Sequence, residues 1–502
     1  MKLAIPIALA AALLAWWLRW GCDDAYITFV YGRSVADGHG PQWFGTHIEG
    51  YTNFLWMLWS ALGLMISVDP LRWSWALSIA SLVATILGTF RLAPTKLAGL
   101  TAIGVLATNY TFLAFGTSGL ETMLQAALLV AVYLEVQRLR DKAGIESMIV
   151  IGVYASLALM TRLDSAPMLL VLGIVTARRL VKANVSVRVW IAGAMPVLIL
   201  VGGWFLWKLY YYGELLPNTF YAKADFALGH GLWFIGKFFV EYWLWLVIPL
   251  AIWRRAWLPL ALVTAQLAYI ALVGGDFMEF RFFVPLLPPL ALAIGEIPRT
   301  KLHAALIVVG LGAASLRHGA AFNSTGDHSI DSIYWMANYY GKVKDNDWSQ
   351  IGRSLWWLRN ASISCNGAGA IPYNTDLPTI DQLGLNDEWV ARHGVHAPAD
   401  YPRPGHQRYA TVEYLKSRGV TLVIGSPTYV DRDALKNRKD AEILRLWLDR
   451  IVGFAPHPVG DIEVVAAPID DDREMLMWYL TPDPMTTAQI AGWDHLRLRI
   501  RD

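Results

Sequence analysis

The stretch Gly21–Asn53, GCDDAYITFVYGRSVADGHGPQWFGTHIEGYTN, sets Asp23, Asp24, Arg33, His39, Glu49 and Tyr51 in one loop between two apolar runs. Ionisable groups are costly to hold at a membrane boundary, and where they persist they mark function. The same acids have a plainer use. Asp is a favoured helix cap, and Asp23 and Asp24 stand just ahead of a helix expected to start near Ala25. The rest of the chain has to decide between the two.

Of 502 residues, 55% are hydrophobic, 16% are charged and 24 are Trp. The mean hydropathy is +0.39. A soluble protein carries about 45–50% apolar and about 25% charged residues, so the excess belongs in lipid. A net charge of +2 without a basic stripe excludes a nucleic-acid footprint. Two cysteines, Cys22 and Cys365, exclude a disulfide-rich scaffold and a cysteine-built zinc site. They would pair only if both faced an oxidising compartment.

Met1–Trp20 is a long apolar run whose Trp16, Trp17, Arg19 and Trp20 replace the small residues of a signal-peptide cleavage site. It reads as a retained first span entering from the cytoplasm. Basic groups follow several later runs: Arg91 and Lys96; Arg138, Arg140 and Lys142; Arg178, Arg179 and Lys182; Arg254 and Arg255; Arg299 and Lys301. Positive residues favour the cytoplasm. These clusters share one side only if Gly50–Ser67 does not span, which makes that run an interfacial or re-entrant helix on the outer face. About eleven spans then fit, each near the ~20-residue requirement: 3–20, 73–91, 97–115, 119–138, 147–160, 165–178, 190–207, 233–251, 256–273, 282–297 and 303–317. Pro167, Pro196, Pro285, Pro288 and Pro289 are expected to start or kink helices.

The expected fold is a multi-pass α-helical membrane protein over 1–317, followed by a soluble α/β domain over 318–502. After Arg317 the chain turns rich in Asp, Arg, His and Pro, and no later run is long enough to span. Ser362–Cys365, Thr421–Gly425 and Asp461–Ala467 read as short strands, and Asp440–Ile451 as an amphipathic helix. The last span delivers this domain to the outer side of the cytoplasmic membrane.

With that topology five polar clusters are expected on the outer face: the Asp23–Tyr51 loop, Gly116–Thr122, Thr161–Ser165, Gly213–Lys223 and Gly274–Arg281. Each has a local explanation. Glu121 complements a helix dipole, Arg162 with Asp164 and Asp276 with Arg281 form ion pairs of little value, and Pro217-Asn218 is a turn. Together they suit glycosyl transfer from a lipid-linked sugar phosphate. An acceptor hydroxyl needs a carboxylate to take its proton, a role for Asp23 or Asp24. A phosphate leaving group needs cations, for which Arg162, Lys223 and Arg281 are candidates. Asn53, Asn218 and the aromatics would bind sugar hydroxyls and ring faces, while a groove between helices takes the lipid tail.

The ordered motifs DDAYITFVYGRSVADGHG, EGYTNFLW, SGLET, TRLDSAP, GELLPNTFYAK and GGDFMEFRFFVPLLPPL resemble the GT-C class of membrane glycosyltransferases. Within it they are similar to the AftB-like group of bacterial arabinofuranosyltransferases. GAGAIPYNTDLPTIDQLGLNDEWVARHG and the PGH at Pro404–His406 resemble that group's outer domain. The resemblance covers most of 20–300 and roughly 362–410. It implies a polyprenyl-phospho-arabinofuranose donor used outside the cytoplasmic membrane, and an envelope glycan or glycoprotein acceptor. It makes Asp23 the first-choice catalytic carboxylate and Asp24 its partner. It leaves Glu49, Tyr51, Asn53, Glu121, Asp164, Asn218, Asp276 and His406 for sugar and acceptor. In that group's mycobacterial terminal enzyme, donor and product linkages imply net retention. A second carboxylate among Asp24, Glu49, Asp164 and Asp276 would then act as nucleophile or ion-pair stabiliser. Wider relatives transfer mannose or aminoarabinose.

No cofactor is expected beyond the sugar donor, although a divalent metal is not excluded. His393, His396 and His406 lack the spacing of a metal site. Gly367-Ala-Gly-Ala370 lacks the third glycine of a dinucleotide loop. A transporter would put ionisable groups at the bilayer midplane and show inverted repeats, and neither pattern is present. A non-catalytic envelope assembly protein would not need the acid–base set.

Overall fold

The computed structural model describes the chain except residues 140–143, 224–226, 326–347, 399–404, 434–440 and 501–502; for 321–325 and 441–446 it describes only the backbone. Arg140, Lys142, Pro404 and Asp440 therefore lie outside the described residues. The chain divides into two compact units. One comprises Met1–Gly21, Thr52–Leu215 and Asp225–Trp335; the other comprises Cys22–Tyr51, Leu216–Ala224 and Met336–Asp502. This differs from a single cut at 317: position 317 lies inside the helix Lys301–Thr325, and most of the acidic loop is grouped with the C-terminal residues.

The first unit is helical. Pro70–Leu92, Val187–Tyr212 and Lys301–Ala320 are each long and apolar enough to cross a membrane. The shorter apolar helices include Ala4–Trp17, Phe54–Met65, Lys96–Thr108, Ile145–Thr161, Trp257–Leu272 and Arg281–Gly295. Leu198, Ile199, Leu206 and Tyr210 on Val187–Tyr212 are exposed, as a lipid-facing surface requires. Small residues let neighbouring helices approach closely. A Cβ on Gly152 would lie 2.4 Å from the Gly193 carbonyl oxygen, so the helices that carry them touch backbone to backbone. After Pro196 the helix widens into a π segment, Val197–Gly202, consistent with the hydrogen bond that proline cannot donate.

Two expected spans are broken: 97–115 is divided into the helices Lys96–Thr108 and Tyr110–Ala114, and 233–251 is bent. The run 233–251 is two helices, Leu228–Glu241 and Leu244–Trp253, bent by 92°. Trp243 takes the left-handed conformation at the break. Just before it, the Tyr242 hydroxyl lies 2.6 Å from the Thr111 hydroxyl, which donates to Glu279 at 2.6 Å. His318 Nε2 reaches the same Glu279 oxygen at 2.8 Å. A polar knot inside the unit thus accompanies the bend, and apolar character alone gave no sign of it.

In the second unit the strands are β1 (Ile363–Cys365), β2 (Thr379–Asp381), β3 (Val395–His396), β4 (Arg408–Tyr409), β5 (Leu422–Gly425), β6 (Tyr429–Asp431), β7 (Gly460–Pro468), β8 (Arg473–Tyr479) and β9 (Asp494–Ile500). The main sheet runs β2-β1-β5-β8-β7-β9, with β6 also pairing β8, and β3 pairs β4 separately. β1 is parallel to β2 and β5, while β8 is antiparallel to β5, β6 and β7. Successive side chains of a strand face opposite ways. Accordingly Val464, Ala466, Leu476 and Trp478 join one core with Trp447 and Ile451, whereas Val465, Ala467, Met475 and Met477 join another with Ile351 and Ile371. Both faces are covered, which makes this an α/β domain. The sequence reading found β1, β5, β7 and the helix Ala441–Val452.

Candidate active site

Asp23 and Asp24 open the helix Asp23–Ala36, whose N-cap is Cys22. The helix begins two residues before the expected start, and neither acid is its N-cap. Asp23 reaches another segment. Its Oδ1 accepts the Ala370 amide at 2.7 Å and its Oδ2 the Gly369 amide at 3.1 Å. Those amides open the short helix Ala370–Thr375, where backbone N–H groups lack intrahelical partners. The Gly367–Ala370 run is therefore an acid clasp, and Gly369 permits it: a Cβ there would lie 1.9 Å from the Asp23 carbonyl oxygen.

One helix face carries the rest of the contact, since residues three and four apart share a face. Tyr26 and Phe29 lie 5.5 and 6.2 Å from the Tyr373 ring. Arg33 caps the far end, donating to the Tyr373 carbonyl at 2.9 Å and pairing with Asp376 at 2.8 Å.

Burial pushes the Asp23 carboxyl up from 3.8 to about 7, against the pull of the Ala370 amide and with added repulsion from Asp24. The residue as a whole is half-buried. Asp381, at the end of β2, was not singled out in the sequence. It is fully buried and accepts the Leu383 and Asn386 amides at 2.9 and 3.0 Å, together with the Asn386 side-chain amide at 3.0 Å. Burial pushes it to about 6. Burial also raises the Cys365 thiol, helped by Asp381 and Asp23. Cys365 and Cys22 are buried and not joined in a disulfide.

The segment Asp381–Asp387 ties in more of the expected residues. The Tyr31 hydroxyl donates to Asn386 Oδ1 at 3.0 Å and accepts the Gly50 amide at 3.0 Å. Tyr51 packs edge-on against Tyr31 at 4.8 Å. The Asn218 amide donates to the Glu49 carbonyl at 2.8 Å, and its side chain to the Gly384 and Leu385 carbonyls at 2.8 and 3.1 Å. Gly405, which precedes His406, lies against the Lys223 side chain. The second unit thus holds Asp23, Asp24, Glu49, Tyr51, Asn218, Lys223 and His406. No pattern within TIDQLGLND marks Asp381 and Asn386, because the groups that bond them converge only in the fold.

The other candidates belong to the first unit. Arg162 donates through Nε and Nη2 to Asp164 and through Nη1 to Glu121 at 2.6 Å. Asn53 donates to the second Glu121 oxygen at 2.7 Å, and Gln125 to Asp164 at 2.6 Å. Glu121 stands at the N-cap of the helix Thr122–Arg138, as expected, and is also half of a buried ion pair. Arg281 pairs with Asp276 at 2.8 Å. Both guanidinium groups lie against Phe282, at 5.4 Å for Arg162 and 5.2 Å for Arg281. Three carboxylates thus face two arginines, and these pairs are buried, unlike the exposed pairs of little value first considered. Among the described residues no group of three His, Cys, Asp or Glu is placed to hold a metal ion.

Residues 337–467 match a family described as "Domain of unknown function (DUF8728)". Over 409 residues the chain is 24% identical to the terminal beta-(1->2)-arabinofuranosyltransferase of Corynebacterium glutamicum, a match covering 68% of this chain and 59% of that protein. The chain thus spans under two thirds of the length of this curated relative. A crystal structure of ArnT from Cupriavidus metallidurans bound to undecaprenyl phosphate matches with a TM-score of 0.58 at 13% identity, covering 95% of this chain and 97% of that one. ArnT from the same organism in the apo state gives 0.58 and 13%, covering 96% and 98%. A likeness of that extent identifies architecture: the chain has the GT-C membrane fold of ArnT.

Proposed function

We propose that this chain is a membrane glycosyltransferase that moves arabinofuranose from a polyprenyl phosphate to an envelope glycan or glycoprotein, outside the cytoplasmic membrane. The observation that carries the reading is Asp23: the carboxyl of a half-buried residue, clasped by two amides, whose pKa lies near neutrality. A general base works best when its pKa lies near the working pH. The acceptor oxygen attacks C1 of the donor sugar, its proton passes to Asp23, and the C1–O bond to phosphate breaks. The leaving group departs as polyprenyl phosphate with the bond electrons and needs no proton. In the retaining course Asp24, Glu49, Asp164 or Asp276 supplies the second carboxylate.

Arg162, Lys223 and Arg281 are the cations assigned to the phosphate. Arg162 spends three of its five N–H donors on Asp164 and Glu121, which leaves two for a ligand. Glu49, Tyr51, Asn53, Glu121, Asn218 and His406 are assigned to sugar and acceptor. The Corynebacterium relative supports arabinofuranose, and ArnT with undecaprenyl phosphate supports a polyprenyl-phosphate donor. The near-complete match to ArnT also favours a second reading, the same reaction with another sugar. Synthetic polyprenyl-phospho-sugars tested one at a time with the purified chain separate the two. Arabinofuranose is expected to be transferred and mannose not; the reverse preference selects the second reading.

A further inference from the structure

A cavity of about 520 Å³ lies within the second unit, and neither Asp23 nor Asp24 lines it. Its size falls in the ~300–1,000 Å³ range of small-molecule sites. Its walls are aromatic and held in place. Trp389 lies flat on Tyr414, with ring centroids 4.0 Å apart and planes 8° from parallel. The Tyr414 hydroxyl donates to both Asp387 oxygens at 2.9 Å and accepts from Arg418 at 2.6 Å. Asp387 in turn caps the helix Glu388–His393 through the Val390 amide. From a distant part of the sequence, Trp43 donates its indole N–H to the Thr379 carbonyl at 2.8 Å. Phe44 packs edge-on against Trp43 at 5.1 Å while holding a left-handed backbone, φ +43°. Such strain in an aromatic residue persists where the surroundings impose it, and it concentrates at ligand sites.

The polar lining selects the ligand class. Among the acids and guanidinium groups of the lining, Asp387 and Glu388 balance Arg392 and Arg418, which leaves no surplus of carboxylates or guanidinium groups for an ion, and the His47 and His393 rings add hydrogen-bonding nitrogens. Rigid aromatic faces beside a charge-balanced set of hydrogen-bonding groups suit a molecule with apolar C–H faces and many hydroxyls. We infer that this cavity is a binding subsite for a neutral oligosaccharide, and that it grips part of the acceptor glycan other than the hydroxyl attacked. Asn386 lines the cavity and also bonds Asp381 and Tyr31, so one side chain connects the subsite to the surroundings of Asp23. The role as acceptor subsite rests on the transferase reading; the carbohydrate binding does not.

The test uses the full chain in detergent micelles without any donor, titrated with a short linear arabino-oligosaccharide and, separately, with inorganic pyrophosphate. Binding is followed by calorimetry. Saturable binding of the oligosaccharide and none of pyrophosphate is expected. Trp389→Ala should weaken it by about tenfold, roughly the loss of one well-packed aromatic contact. Trp389 supports Tyr414, so His393→Ala, which alters an exposed ring 5.7 Å from Trp389, serves as the second variant; about threefold weakening is expected. Unchanged affinity in both folded variants, or binding of pyrophosphate in place of the oligosaccharide, overturns the subsite. If wild type binds as expected yet transfers no sugar from any donor, the transferase reading fails and the binding site stands.

Discussion

Asp23 carries the strongest prediction at the scale of single residues. Its raised pKa means that the base form becomes the majority species only above about pH 7. Transfer kcat/KM should therefore rise with pH through an inflection near 7, and a flat profile from pH 5 to 9 contradicts the assignment. The same shift has a sign for stability. Asp23 and Asp381 bind protons more tightly folded than unfolded, with values near 7 and 6 against 3.8. Their contribution to stability therefore falls as pH rises from about 4 to about 7 and levels off above that. Arg162 supports a different prediction. Removing it strands Glu121 and Asp164 in the interior, so Arg162→Ala should cost about 3–5 kcal/mol. Adding Glu121→Gln should restore part of the loss in thermal unfolding. No rescue in the double variant argues against the buried pair.

Among the elements, the helix Asp23–Ala36 and the turn at Gly367–Ala370 depend on each other. Gly369→Ala would drive a methyl group into the Asp23 carbonyl at 1.9 Å. The turn must then move, which should lower stability by about 1–3 kcal/mol and abolish most transfer, whereas Ala368→Gly should leave activity near wild type. Equal activity in both variants would show that the clasp is dispensable. Half of this arrangement was legible beforehand. A helix was expected from near Ala25, Asp23 and Arg33 stood out in its stretch, and short apolar strands announce themselves by composition. Their partners were not legible, because Gly369, Tyr373 and Asp376 stand some 340 residues away and sequence pattern carries no long-range pairing. Asp381 escaped for a related reason: its worth comes from amides that converge on it only in the fold. The break at Trp243 was hidden because the two halves of the bent pair together are apolar enough to pass as one span.

For the molecule as a whole, hydropathy announced a membrane protein, and the match to ArnT over nearly the full chain agrees. Composition could not show how the chain is partitioned. The acidic loop Cys22–Tyr51 and the segment Leu216–Ala224 fold with the C-terminal residues, although helical segments separate them in sequence. This placement explains why a loop beside the first hydrophobic helix carries contacts typical of an α/β domain. It also makes the catalytic proposal dependent on the C-terminal unit: a chain ending at residue 335 should insert in membranes yet transfer no sugar, because Asp23 loses both of its amide donors. The most direct test of the central claim is transfer from synthetic polyprenyl-phospho-arabinofuranose to a short arabinan, comparing wild type with Asp23→Asn and Asp24→Asn and reading product linkage by NMR. The account predicts an arabinofuranosyl product from wild type and a loss of at least about 100-fold in folded Asp23→Asn, the scale of one general base. Full activity in Asp23→Asn, or no transfer by folded wild type from any polyprenyl-phospho-sugar, would contradict it.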